Sequence, residues 1–376
     1  MEKKVNIGII GVGAFMARQH LPNIIRNSLI HIKIMCDRDE DLLQQRKKEF
    51  QPDICTTDAR KVFQDPEVDV VFVGTRSSQH ACFIEKSAQY GKHVFVEKPM
   101  VMTYEETACV LKVVKKSNIN VGIGFNRRFA PIMVEAKRLF KEFREGPANI
   151  VYRIVDDHRI RPAYIFDMND GGGHLLQECC HIFDLLSWFL DEEPVEIYAA
   201  GPMETDNVVI IKYSDGSLVT LLCSGKGGLF YPKELMEVFC NHTTLVMDNF
   251  YELRLDGPEG NFMRTFPLDV KSDLKIEGDS MTNYYQTSFA QRPSHDVVDL
   301  QEGNQLVKLK VDKGHNQIIS SFSEAVIGNK PFSINAVDGA RATVCALKAY
   351  ESIRKNKPIT ISTTEYGIEN YNNTTN

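Results

Sequence analysis

Short apolar runs alternate with stretches of helical period along the first third of the chain. Val5–Ile10, Ile32–Cys36, Val68–Val73, Val94–Val96 and Asn120–Ile123 are rich in β-branched and aromatic residues and carry few charges. That is the pattern of strands buried on both faces. Between them, helical spacing runs from Ala17 to about Asn27, from Asp39 to Phe50, up to about Tyr90, and from Thr103 to about Ser117. Asp39 and Thr103 are residues whose side-chain oxygens cap first-turn N–H groups. Gly91 is a natural stop after the third helix. Strand and helix in alternation predict an α/β fold built on a doubly wound parallel sheet. Right-handed crossovers would bring the strand ends at Gly11, Asp37, Thr75 and Glu97 to one rim.

The pattern then changes. A helix is expected from Pro131 to about Glu142, a strand at Ile150–Val155, and one helix from His174 to about Leu190 carrying Leu175, Ile182, Leu185, Leu186 and Phe189 on an apolar face. From about Val195 the period falls to two. Val208–Tyr213 and Ser217–Leu222 flank the turn residues Ser214-Asp215-Gly216, and Leu235–Cys240 and Thr243–Met247 flank Asn241-His242, so two hairpins are expected. Gly257 to Gln301 is polar and broken by Pro and Gly; it holds either short elements or a substrate lid. Helices from Asn316 to about Ile327 and from Ala336 to about Ile353, then a strand at Pro358–Ile361, complete the pattern. A polar tail at Asn370–Asn376 should fray.

Composition narrows the function. At 376 residues, 43% hydrophobic and 25% charged, the chain is long enough for two domains with full cores. A net charge of −6 argues against a nucleic-acid or anionic-membrane surface. No apolar run approaches the roughly 20 residues of a membrane span. Met1–Lys4 leads directly into strand-like sequence, without an apolar signal region. The nine cysteines are scattered, with no Cys-x-x-Cys pair. We therefore expect reduced thiols, a cytoplasmic setting and no metal site.

Two motifs carry the chemistry. The first strand meets Gly11-Val12-Gly13-Ala14-Phe15-Met16, and a helix follows. Strand, glycine turn and helix is the context that binds a dinucleotide: Gly11 permits the turn, Gly13 lets a pyrophosphate approach the backbone, and the helix N-terminus attracts it. Met16 stands where Gly or Ala is usual, which should loosen the helix–strand contact; the same residues also suit an ordinary tight turn. Asp37 follows Gly13 by 24 residues at a strand end, near the separation of about 20 for the acid that binds the adenosine ribose. An acid there favours NAD, while Arg38 beside it keeps NADP open. The second motif is Glu97-Lys98-Pro99. Pro99 ends the strand, so Glu97 and Lys98 stand either at a ligand's edge or as a solvated pair on a turn.

These residues resemble the Gfo/Idh/MocA oxidoreductases, the family of glucose-fructose oxidoreductase, inositol dehydrogenase and rhizopine-catabolism proteins. The resemblance covers nearly the whole chain. It rests on Gly11-Val12-Gly13, the His80 element, Glu97-Lys98-Pro99, Gly124-Phe125-Asn126-Arg127-Arg128-Phe129, and Gly171-Gly172-Gly173 followed by His181. It implies an N-terminal Rossmann domain over 1–124 and a C-terminal α/β domain with an open, mainly antiparallel sheet over 125–362. A tail covers 363–376, and the last helix can pack back on the first domain. It also implies hydride transfer between nicotinamide and a hydroxyl carbon of a sugar, aminosugar or cyclitol, and a homodimer or homotetramer formed through the second sheet, whose two faces both read as fairly apolar.

On this likeness Gly11, Gly13, Ala14, Phe15, Met16, Asp37, Arg38, Thr75, Arg76, His80, Glu97, Lys98 and Asn126 would line the cofactor, with Glu97 on the nicotinamide ribose. Lys98 and His181 would be the acid/base pair. Arg127, His158, Gln177, Glu178 and His315 would join them around the substrate. Gln177 replaces the family's usual Asp four residues before the histidine, and Glu178 can supply the missing charge from a neighbouring angle. Plainer roles stand beside these. His181 can be a satisfied helix histidine near Asp184, His158 a surface residue, and His315 a helix cap. Arg127, Arg128 and Arg161 can pair with surface acids. A redox-neutral lyase or glycosidase that retains NAD, and a non-catalytic NAD-binding sensor, are the competing functions.

Overall fold

A six-stranded sheet of order β3-β2-β1-β4-β5-β6 opens the fold. Its strands are β1 (Val5–Ile10), β2 (Ile30–Cys36), β3 (Ile54–Thr56), β4 (Val70–Val73), β5 (His93–Val96) and β6 (Val121–Ile123), and every pairing is parallel. The computed structural model describes residues 4–228, 231–266, 268–270, 297–302 and 305–368. The helices of this part are α1 (Leu21–Arg26), α2 (Glu40–Phe50), α3 (Arg60–Gln64), α4 (His80–Gln89) and α5 (Tyr104–Lys116). Asp39 caps α2 by accepting from Leu42 N–H, and Thr103 and Glu106 form a capping box on α5. The strand β3 and helix α3 escape the sequence pattern because each is short and β3 exposes Ile54. The expected helix from Ala17 instead begins with a π-helical turn at Met16–His20 that runs into α1.

The strand order reverses between β1 and β4, the position where open α/β sheets leave a crevice. Each of these strands is followed by a glycine, Gly11 and Gly74. Gly11 has φ +86°, and a Cβ on it would stand 2.7 Å from the Gly74 carbonyl oxygen.

The second sheet has nine strands in the order β14-β13-β12-β11-β7-β10-β9-β8-β18. They are β7 (Asn149–Val155), β8 (Pro194–Ala200), β9 (Asn207–Tyr213), β10 (Leu218–Ser224), β11 (Glu234–Cys240), β12 (Thr243–Asp248), β13 (Glu252–Gly257), β14 (Gly260–Thr265) and β18 (Ile359–Thr360). All pairings are antiparallel except β7 with β10. Both expected hairpins form, and Asn241 and His242 take positive φ in the second. A small antiparallel sheet joins β15 (Leu268–Val270), β16 (Val297–Glu302) and β17 (Gln305–Val311). Most of the segment read as short elements or a lid, and the tail at 370–376, lie outside the described residues.

Burial alternates strictly along β9 and β10, so only one face of this sheet is covered. The other face leaves Val151, Val208, Ile210, Leu218, Leu222 and Phe239 partly exposed. The covered face lies against α6 (Pro131–Phe143) and the last helix, α10 (Ala336–Lys355), which packs in turn on α8 (Cys180–Leu190).

Two late helices return to the first sheet. Helix α10 packs on α5 and β6 as well as on α8 and β8. Helix α9 (His315–Ile327) places Phe322 over Gly122 of β6, where a Cβ would stand 2.6 Å from the ring. Phe322 also meets Phe95 at 5.4 Å and Phe332 at 5.0 Å between ring centres. The sequence pattern does not anticipate the return of α9. Among the described residues no helix is long and apolar enough to cross a membrane.

Candidate active site

The glycine turn is built as a cradle. Gly11 N–H donates to the Cys36 carbonyl, and Val12 N–H donates to Asp37 Oδ2 at 2.9 Å. Asp37 Oδ1 accepts from Asp39 N–H at 3.2 Å. Each carboxylate oxygen keeps a further lone pair for a ribose hydroxyl. A Cβ on Gly13 would meet no protein atom within 4 Å, so this glycine faces open space rather than packing. Ala14 and Phe15 are exposed behind it, and first-turn N–H groups have no partner within their own helix. An open backbone, a carboxylate at the β2 end and a helix start fit a dinucleotide.

Met16 does not loosen the helix as the sequence suggested. It is 2% exposed, and its Cε lies 2.5 Å from where a Gly74 Cβ would be. The glycine missing from the helix stands on the opposing strand instead.

The remaining cofactor candidates divide. Arg38 is exposed. Thr75 Oγ1 donates to the Arg76 carbonyl. Arg76 lies over the Tyr164 ring at 3.5 Å and pairs with Asp170 at 3.1 Å. His80 is buried, with its ring nitrogens 2.8 Å from the Pro99 carbonyl and 3.3 Å from the Thr75 carbonyl. Burial holds its pKa below the usual histidine value. It braces the Glu97-Lys98-Pro99 loop from behind. Asn126 donates to the Lys313 carbonyl at 2.7 Å and ties the β6 end to the segment before α9.

On the substrate side, the expected helix over 174–190 is broken into α7 (Gly173–Gln177) and α8. Gln177 and His181 therefore do not share one continuous helix face. Gln177 is turned to structure: its amide donates to the Gly171 carbonyl at 2.5 Å and to Ser77 Oγ at 3.1 Å. Glu178 stands at the break. Its carboxylate meets Lys233 at 2.6 Å, Arg127 at 3.3 Å and Lys98 at 3.5 Å. Burial would push this carboxyl up, but Lys233, Lys98 and Arg127 together hold it well below the usual range. Three charge contacts outweigh the helix hydrogen bond of about 1 kcal/mol given up there.

Lys98 Nζ donates to the Gln177 carbonyl at 2.5 Å. His181 is 5% exposed, with Phe125 edge-on at 5.8 Å. Burial, then the charges of Arg127 and Lys98, drive its pKa well below the ordinary histidine value. Its Nδ1 is buried and has no hydrogen-bond partner among the described residues. Unsatisfied buried polar atoms of this kind are rare.

Arg127 is committed to Glu234 through two hydrogen bonds of 2.8 and 2.9 Å. Tyr152 and Lys313 close the cluster, and Arg127 and Lys313 overcome burial to bring Glu234 down to about 2. Arg128 pairs with Asp184 and Asp338, so these arginines meet buried acids rather than surface ones. His315 begins α9 after its cap residue Gly314, with its ring 6.1 Å from His20, and its charge acts on His181. His158 packs instead with its ring tilted against Phe166 at 4.3 Å and edge-on to His174 at 4.5 Å.

Sequence reasoning missed His20, whose Nε2 lies 2.5 Å from Glu97 Oε1. It also missed Lys233 and Asp156, which pair at 3.3 Å next to Glu178. None of the three sits in a motif, and no spacing signal marks them.

The fold, the glycine cradle at the strand-order reversal and the Glu97-Lys98 strand end define a nucleotide-dependent oxidoreductase. Residues 5–125 match the oxidoreductase family with the NAD-binding Rossmann fold, and residues 135–246 match the GFO/IDH/MocA C-terminal domain. The chain belongs to the GFO/IDH/MocA oxidoreductase family. It is 26% identical to myo-inositol 2-dehydrogenase of Thermotoga maritima over 295 residues, 73% of this chain and 85% of that one. Inositol 2-dehydrogenase of Rhizobium meliloti is 27% identical over 225 residues, 59% of this chain and 66% of that one. Levoglucosan dehydrogenase, solved with NADH and levoglucosan, superposes with a TM-score of 0.75 at 19% identity, covering 96% of this chain and all of its own, 100%.

Proposed function

We propose that this protein is an NAD-dependent dehydrogenase. It transfers a hydride between nicotinamide and a CH–OH carbon of a sugar, aminosugar or cyclitol, with Lys98 and His181 as its acid/base pair. Residues 1–124 serve as the cofactor domain and 125–362 as the substrate domain. The observation that carries the reading is the meeting of Lys98 with the α7–α8 break, three residues before His181. The named inositol and levoglucosan dehydrogenases among its relatives support the substrate class.

NAD, when bound, supplies the hydride acceptor. The Gly11–Met16 turn and Asp37 would hold its adenosine and pyrophosphate, and Glu97 its nicotinamide ribose. The protein's own part is position and proton handling. Lys98 Nζ, a cation beside the reacting oxygen, stabilises its alkoxide character. The His181 imidazole, kept neutral by burial and by the cations around it, accepts the hydroxyl proton in oxidation and returns it in reduction. Glu178 stays ionised and keeps Lys98 and Lys233 in place.

The open sheet face supports a homodimer or homotetramer. Val208, Ile210, Leu218 and Leu222 lie together on β9 and β10, a patch that a second copy would cover. All nine cysteines are free thiols, which supports a reducing cytoplasmic setting.

A cofactor-reduction screen tests the reading: NAD and NADP against inositols, free hexoses, anhydrosugars and nucleotide-linked aminosugars. Turnover with at least one polyol, faster with NAD, is expected. Product formed without net cofactor reduction, or NADH binding without turnover on any sugar, overturns it.

A further inference from the structure

His20 stands nine residues past Gly11, outside every motif of the chain. The structure nevertheless aims it. The helix winds a π turn over Met16–His20 before it settles into α1. Such turns insert a residue into the repeat and occur frequently at functional sites. His20 is 1% exposed, and its ring is enclosed by Phe15, Phe95 and His315 at 5.5, 5.9 and 6.1 Å.

Glu97 is ionised: burial would raise its pKa, but His20 and then Lys98 hold it below the usual carboxylate value. An ionised carboxylate only accepts, so His20 Nε2 carries the proton in the 2.5 Å contact with Oε1. The Glu97 carboxylate is hemmed in from two further sides. The Lys98 N–H donates to Oε2 at 3.3 Å. The backbone of Gly124 runs so close that a Cβ there would stand 2.8 Å from Oε1. His20 Nδ1 is buried and without a partner among the described residues.

We infer that His20 is a positioning residue for Glu97: it pins one carboxylate oxygen, leaves the other for a hydroxyl of the nicotinamide ribose, and thereby sets the strand end from which Lys98 projects. This rests on the proposed function, because it takes Glu97 as the residue that meets the cofactor. A histidine on the pyrophosphate-binding helix thus ties the two ends of the cofactor site together.

The test is a double-mutant cycle read by NADH fluorescence titration of the full chain, with H20L, H20Q, E97A and H20L/E97A. H20L is expected to weaken NADH binding about ten- to a hundredfold, the range of a charge-assisted hydrogen bond. H20Q, whose amide can donate to Glu97, recovers most of the loss, and H20L/E97A binds no worse than E97A. Losses that add in the double variant, no rescue by Gln, or wild-type affinity in H20L overturn the proposal while leaving the functional reading intact. A wild-type chain that binds no NADH overturns both. If circular dichroism shows H20L unfolded, H20N replaces it, since its shorter amide falls short of Glu97 and the same outcomes apply.

Discussion

Lys98 Nζ takes the carbonyl oxygen of Gln177 that an unbroken helix would have used itself. In a continuous α-helix that oxygen accepts from the N–H four residues on, which is His181. Here His181 N–H donates to the Glu178 carbonyl instead, and Lys98 fills the released position at 2.5 Å. The break that carries Glu178 into its ring of cations is therefore also what anchors the lysine. The amine and the histidine-bearing helix are joined through one backbone group.

Lys98→Ala should lower kcat by about 10²- to 10⁴-fold, the usual share of a positioned acid or base. NADH affinity should stay within a few-fold of wild type. Steady-state kinetics beside fluorescence titration separates the two. A variant that turns over nearly as fast as wild type would remove Lys98 from the chemistry.

His181 should make activity unusually resistant to mild acid. Its pKa in the free protein lies well below the ordinary 6.5, because burial, Arg127 and Lys98 disfavour the imidazolium. With His181 as the proposed base, the neutral form it needs is still present as pH falls through 6.5. The kcat/KM profile for oxidation should stay flat there and turn down only at lower pH. His181→Ala should cost about 10²- to 10⁴-fold in kcat and abolish that acidic limb.

Gly11 and Gly13 should separate folding from cofactor binding. Ala at Gly11 meets the Gly74 backbone at 2.7 Å and holds φ at +86°, so both stability and NADH binding should fall. Ala at Gly13 meets nothing in the protein. Gly13→Ala should therefore melt near wild type and yet lose NADH affinity. Thermal melts with and without NADH decide the matter, and unchanged NADH binding in Gly13→Ala would place the pyrophosphate elsewhere.

Arg128→Ala should destabilise the fold by about 3–5 kcal/mol, the cost of leaving a buried ion pair half-made. It strands Asp184, which is 1% exposed, while Asp338 at the start of α10 keeps Arg341 at 3.1 Å. Chemical denaturation measures the loss, and a change under 1 kcal/mol would contradict this role.

Stability should fall as pH drops below about 6.5. His174 and His158 are both lowered to about 4, chiefly by burial, and the charge of His174 lowers His158 further. Between 6.5 and 4 the unfolded chain binds protons that the folded chain refuses, so lowering pH favours unfolding. His174→Gln should flatten the Tm profile across that window. An equally steep profile in the variant would assign the acid sensitivity to other groups.

Much of this was legible in the chain. Strands such as Val70–Val73 and the caps at Asp39 and Thr103 follow from local pattern and local hydrogen bonding. Glu97-Lys98-Pro99 marks a strand end by itself. Gln177 was less legible: its identity says amide, but only the structure shows both amide protons given to Gly171 and Ser77. Arg127 likewise reads as a ligand for an anion, and the anion turns out to be Glu234, 107 residues away.

What the sequence determined alone is the alternation of buried strands and helices, and with it the parallel sheet, the glycine cradle and the positions of Lys98 and His181 along the chain. Periodicity and backbone freedom are local, so they survive in a string of letters. The break at Glu178, the return of α9 onto Gly122, Gly74 standing in for the glycine missing at Met16, and the grip of His20 on Glu97 were decided only in three dimensions. Each is a contact between distant segments, settled by which charges and surfaces the packed core brings within a few ångströms.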